Sequence, residues 1–204
     1  MSYNSTIYIN IKQLLQTMDA EEFYVPGNRM DKLPKIHNAF LLVENGIIID
    51  FGNMENIPKK LENSEVVDLS NSFVMPTWCD AHTHSVFAGN RSNEYLMRLQ
   101  GLTYKQIADC GGGILKTTQE IKNISEQELY SISLKRIIKM IQNGSGGIEI
   151  KSGYGLTYES ELKILSVIKK LKDNLPIEIK STFLGAHAYP CLLYTSPSPR
   201  DIGE

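Results

Sequence analysis

The stretch GIEIKSGYGLTYESELKILSVIKKLKDNLPIEIKSTFL, residues 147–184, decides the fold class. Its opening run, Gly147-Ile-Glu-Ile-Lys151, has the length and apolar character of a buried strand. From Thr157 the period changes: Ile164, Val167, Ile168 and Leu171 fall on one helical face, and Asn174 and Pro176 stop the helix. Residues 177–184 then read as the next strand. Strand, helix and strand at this spacing make a βαβ crossover, which predicts a parallel sheet with its working residues beyond the carboxyl ends of the strands.

Working outward, Ser125 with Glu128 three positions on forms a capping box. Leu134, Ile137, Ile138 and Ile141 then mark a helical face that ends at Asn143-Gly144. The Gly111-Gly-Gly-Ile-Leu-Lys-Thr-Thr118 segment lacks the spacing of a phosphate loop and reads as a tight turn. Further upstream, an apolar segment beginning at Phe73 runs into the polar cluster Asp80-Ala-His-Thr-His84. Before it, Ala39 to Asp50 is a β-hairpin turned by Asn45-Gly46, and Ile7 to Ile11 and Val66 to Leu69 read as strands. The sequence therefore divides into a β-rich segment (1–72), an α/β segment (73–190) and a tail (191–204) whose Ser-Pro repeat fits neither helix nor strand and is expected to be disordered or foreign.

Length and charge limit the possibilities. At 204 residues the chain is shorter than the roughly 250 of a closed eight-stranded α/β barrel. With 21 basic against 23 acidic residues and no long basic block, nucleic acid is not an expected partner. No run reaches the roughly 18 apolar residues of a membrane helix, and the N-terminus lacks the pattern of a secretory signal, so a cytoplasmic protein is expected. Cys79, Cys110 and Cys191 have no CxxC spacing; the first two are expected to be buried structural thiols.

The chemistry gathers at His82 and His84. On a strand, a spacing of two points both imidazoles to one face, where they can hold a single metal ion. Asp80, two positions earlier, could orient a ligand imidazole from behind. Val74-Met-Pro-Thr-Trp-Cys-Asp-Ala-His-Thr-His84 resembles the opening barrel strand of the amidohydrolase superfamily. Residues 87–94 (FAGNRSNE), 98–104 (RLQGLTY), 111–114 (GGGI), 149–156 (EIKSGYGL) and 182–187 (TFLGAH) are similar, in order, to the imidazolonepropionase family.

That resemblance, from about Tyr8 to Pro190, implies a small composite β domain followed by the first part of a metal-dependent (β/α)8 barrel. It also implies hydrolysis of 4-imidazolone-5-propanoate to N-formimidoyl-L-glutamate with zinc or iron, in a family whose full-length members can form homodimers. Carried over, His82 and His84 match metal ligands, and Arg91, Tyr154 and His187 match positions that contact substrate. The residue types suit these roles. Arg91 offers a planar fork for the propionate, the glycines around Tyr154 let the backbone present its phenol, and His187 can polarise the ring carbonyl.

The resemblance also implies that the remaining metal ligands and the acid/base residues lie on later strands. No catalytic acid or base is assigned, and the chain as it stands is expected to be an incomplete, inactive N-terminal half. Thr77 and Ser145-Gly-Gly147 depart from the family pattern, the latter weakening its strand. Two other readings are a deaminase of a cyclic amidine and a non-catalytic fragment.

Overall fold

The computed structural model describes residues 5–18, 24–59, 64–185 and 187, so the tail expected at 191–204, with Cys191, lies outside the described residues. The chain falls into two compact units that meet between Pro76 and Thr77.

The first unit is a sheet of β1 (Ser5–Leu15), β2 (Lys35–Glu44), β3 (Ile47–Asn53), β4 (Ser64–Asp68) and β5 (Phe73–Val74). Its order is β3-β2-β1-β4, with β5 also paired to β1. The β2–β3 hairpin is antiparallel, and Asn45 and Gly46 carry φ values of 50° and 79°, the left-handed pair a type I′ turn demands. Ile7, Phe40 and Leu42 form one core cluster and Ile11, Leu14 and Ala39 another. Strand β5 pairs with β1, so Phe73 and Val74 lie in this unit.

Strand β3 is an edge among the described residues, and it is apolar: Ile47 is 65% exposed, and Ile48 and Ile49 are also exposed. An unpaired apolar edge invites pairing with another chain. The substitution Ile47→Lys, opposite Glu44 in the ladder, is therefore expected to slow aggregation on warming, read by light scattering, with little change in the melting midpoint.

The second unit is built on a parallel sheet, β6 (Trp78–Thr83), β7 (Ser145–Lys151) and β8 (Glu178–Thr182), in that order. Between β6 and β7 lie α1 (Ser92–Leu99), α2 (Tyr104–Asp109), α3 (Ile114–Asn123) and α4 (Glu126–Gln142); α5 (Tyr158–Asn174) joins β7 to β8. The β7-α5-β8 crossover read from the sequence is present. Ile148 and Ile150 of β7, Ile179 of β8, Ile137 of α4 and Ile164, Val167, Ile168 and Leu171 of α5 bury together as the core.

Both long helices start where capping chemistry places them. Ser125 and Glu128 form a reciprocal capping box on α4, and Thr157 caps α5 through the Ser160 N–H. Strand β7 begins at Ser145, and its pairing with β6 shifts register at Gly146, between the pairs Trp78–Ser145 and Cys79–Gly147. Gly146 is needed there because a Cβ would lie 2.0 Å from Thr77 Oγ1.

Three sequence expectations need correction. The 111–118 segment is a turn only at its glycines; from Ile114 it is helix α3, because Gly113, at φ 79°, turns the chain into it. On α4, Ile138 is exposed while Ser133 is fully buried, so packing has rotated the buried face away from the most apolar stripe. Cys79 and Cys110 are exposed rather than buried. Cys79 lies on the edge strand β6, and Cys110 caps the short helix α2.

Candidate active site

The carboxyl ends of the three parallel strands bring together the side chains that the sequence singled out. His84 follows β6, Tyr154 follows β7 and His187 follows β8. The His84 ring stacks on Tyr154 with centroids 4.6 Å apart and planes 18° from parallel. His187 lies 4.8 Å from His84 and 5.5 Å from Tyr154, and His82 lies 5.7 Å from His84. Arg91, immediately before α1, places its guanidinium carbon 5.9 Å from the Tyr154 ring centre. A cavity of about 270 Å³ is lined by His84, Phe87, Asn90, Arg91, Thr117 and Tyr154.

The electrostatics favour a neutral imidazole at His84. Burial pushes its pKa below the ordinary histidine value, and the neighbouring His187 and His82 push it the same way, against smaller opposing contributions from backbone groups of Ser152 and Lys151. Its Nδ1 is buried and has no hydrogen-bond partner among the described residues. A neutral ring with an unsatisfied buried nitrogen is the form that ligates metals.

The spacing of the pair also fits. Ligating nitrogens about 2.1 Å from a shared ion put two imidazole centres roughly 5 to 6 Å apart, and His82 and His84 are separated by 5.7 Å. These two residues could hold a divalent ion. Among the described residues no group of three or more His, Cys, Asp or Glu side chains is placed to complete such a site.

Asp80 is placed differently from its sequence expectation. Its Oδ1 accepts from the backbone N–H of His82 at 3.3 Å. The β6–β7 register slips between Asp80 and Thr83, with Asp80 opposite Ile148 and Thr83 opposite Ile150, so strict alternation fails across this segment.

Supporting contacts hold the cavity wall. Arg91 Nε donates to Thr117 Oγ1 at 3.1 Å, and Thr117 is buried on α3. With Nε engaged, the two terminal nitrogens of the guanidinium remain as the fork, and no ion pair occupies Arg91 among the described residues. Arg136 of α4 donates to the carbonyls of Ser85 and Phe87, at 3.2 and 2.6 Å, and lies 3.7 Å over the Phe87 ring. It thereby fixes the turn after His84.

Thr117, Phe87 and Asn90 line the cavity but were not among the candidates from sequence. Phe87 and Asn90 lie in the 87–94 stretch already quoted, whereas Thr117 gave no local signal. A larger apolar depression of about 600 Å³, along Leu156, Tyr158, Leu162, Leu165 and Phe183, has one acidic group, Glu161. That carboxylate is already committed to backbone N–H donors.

Solved structures share this architecture. Guanine deaminase of Escherichia coli superposes with a TM-score of 0.58 at 13% identity, over 88% of this chain and 36% of that one. An uncharacterized metal-dependent hydrolase of Pyrococcus furiosus gives 0.53 at 12% identity, over 88% and 50%. The fold of this chain, a β-rich unit followed in sequence by a parallel α/β unit, is thus shared with part of each of these structures.

In sequence the chain is similar to imidazolonepropionases. It is 50% identical over 185 residues to imidazolonepropionase of Flavobacterium psychrophilum, covering 91% of this chain and 45% of that protein. For that of Bacillus cereus the figures are 43% over 185 residues, 91% and 43%, and for that of Acinetobacter baumannii 47% over 155 residues, 76% and 38%. The chain therefore spans less than half the length of these curated relatives. No protein-family model matches it. Among the described residues no helix is long and apolar enough to cross a membrane.

Proposed function

We propose that this chain carries the carboxylate anchor and the first two metal ligands of an imidazolonepropionase, which opens 4-imidazolone-5-propanoate to N-formimidoyl-L-glutamate in cytoplasmic histidine degradation. The observation that supports it most is the Arg91 guanidinium, without an ion pair among the described residues, in one cavity with His84 and Tyr154. A substrate with a carboxylate arm and a flat nitrogen ring needs both a cationic fork and an aromatic wall. The names and 43–50% identities of the relatives point the same way.

In this reading Arg91 binds the propionate end-on through its terminal nitrogens, while Thr117 holds Nε and stops the fork from swinging. Tyr154 and the wall at Phe87 flank the ring and exclude water from one side. His187, beside His84, donates to the ring carbonyl. His82 and His84 would hold the divalent ion, zinc or iron, which supplies Lewis acidity and a water acidic enough to react near neutral pH. The reaction consumes one water and breaks the ring C–N bond without any oxidant. The group that returns a proton to the departing nitrogen is assigned to the part of the relatives that this chain does not span, and so is homodimer formation.

The test is calorimetric titration of the zinc-loaded chain with 3-(imidazol-4-yl)propanoate, which has the same arm and a similar ring. Arg91→Ala is expected to weaken binding about tenfold, a modest figure because Arg91 is exposed. Arg91→Lys is expected to recover only part of it, because the charge returns without the fork. Equal affinity in all three proteins would remove Arg91 as the anchor, and the reading with it.

A further inference from the structure

Glu161 is a buried acid that the proposed reaction does not use. It is 4% exposed, it sits in the first turn of α5, and no cation pairs with it among the described residues. An unpaired buried carboxylate persists only when hydrogen-bond donors replace its lost water. Here all the recorded donors come from one loop: Oε2 accepts from Gly153 N–H at 2.9 Å, and Oε1 from Gly155 N–H at 2.6 Å and Leu156 N–H at 3.2 Å. The residue they bracket is Tyr154.

The glycines are there for contact as well as conformation. A Cβ on Gly155 would lie 2.6 Å from the Glu161 nitrogen, so the loop rests directly on the first turn of the helix. Gly153 has φ +112°, and a Cβ there would meet His187 Cβ at 2.6 Å and the Leu184 carbonyl at 2.7 Å. One carboxylate therefore grips both sides of Tyr154, and through Gly153 it abuts the turn that carries His187. Ser152, just ahead, closes the same seam by accepting from Leu184 N–H at 3.0 Å.

We infer that Glu161 is a positioning residue for the aromatic wall. Its charge-assisted bonds hold Tyr154 stacked on His84 and set His187 beside them, so that the ring-binding side of the cavity is formed before any ligand arrives. Its consequence for ligand binding rests on the reading of Tyr154 and His187 given under Proposed function. Its consequence for geometry does not.

The chain has four histidines, so their Hε1 resonances can be assigned one by one. In Glu161→Gln, which keeps the shape and loses the charge, and in Glu161→Asp, which is one methylene too short to reach both glycines, the His84 and His187 resonances are expected to move as the Tyr154 ring shifts. That of His37, in the other unit, should stay in place. Affinity for 3-(imidazol-4-yl)propanoate should fall roughly tenfold in Glu161→Gln, with no further loss when it is combined with Tyr154→Ala.

Unmoved His84 and His187 signals in folded variants would overturn the inference. So would unfolding of both variants, which would make Glu161 a residue of stability alone. Shifted signals with unchanged affinity would leave the positioning role standing and sink the substrate reading instead.

Discussion

The double variant His82→Ala, His84→Ala is expected to lose its bound divalent ion entirely, where the parent chain retains about one per molecule after zinc loading and dialysis. Three features of the pair set this expectation. The rings are 5.7 Å apart, His84 Nδ1 is buried without a partner among the described residues, and burial favours the neutral form of that imidazole. Two imidazoles chelate an ion together, so each single variant should lose most of the binding. His37→Ala, with its side chain exposed in the other unit, should lose none. Catalytic zinc sites use about three protein ligands, and the described residues supply no third. The parent affinity should therefore be lower than in a complete site, with water filling the open positions. Zinc also favours thiolates, and Cys79 is exposed on the same strand as His82. The measurement should accordingly be repeated in a Cys79→Ser background. Full zinc retention by the double variant in that background would show that these histidines are not the ligands.

What the sequence disclosed and what it concealed divide by the range of the interactions. The β2–β3 turn, the α4 capping box and the buried face of α5 each depend on residues within a few positions of one another, and all are legible as written. Helices α1, α2 and α3 passed unread because short helices carry too few turns for a period to emerge. The Thr103/Gln106 capping box that starts α2 is seen in the structure and was not read from the sequence. Ile138 and Ser133 changed places with respect to burial because the sheet, not the helix's own apolar stripe, decided which side of α4 faced inward. The exposure of Cys79 follows from its lying on an edge strand, which no local pattern announces.

The site divides in the same way. His82 and His84 are neighbours in sequence, and the glycines around Tyr154 advertise a loop. Thr117 meets Arg91 across 26 positions and Glu161 meets Gly153 across 8, pairings that exist only once α3 and α5 have packed. Recognition of Arg91, Tyr154 and His187 came from resemblance; their mutual placement is a property of the parallel strands.

Leu171→Ala is expected to destabilise the second unit by about 2–5 kcal/mol, the usual range for deleting three carbons from a packed site. Leu171 is fully buried within the cluster that joins α3, α4, α5, β7, β8 and the segment after β6. The cluster joins several helices to the paired strands β7 and β8, so its members have little freedom to collapse into the space, which argues for the upper part of the range. Leu162, on the same helix but 46% exposed, makes the matched control. Leu162→Ala removes the same atoms from a half-exposed position and should shift stability by less, about 1 kcal/mol. In urea, with a slope of about 1–3 kcal/mol per molar, the buried substitution should lower the midpoint by roughly 1–2 M and the half-exposed one by less. A domain stable by only about 5–15 kcal/mol would lose a large part of its margin, and Tyr154 and His187, which follow β7 and β8, would be disordered with it. Equal midpoints for the two variants would mean that α5 is not packed on the sheet in solution, and the strand ends would then have no fixed relation on which to build a site.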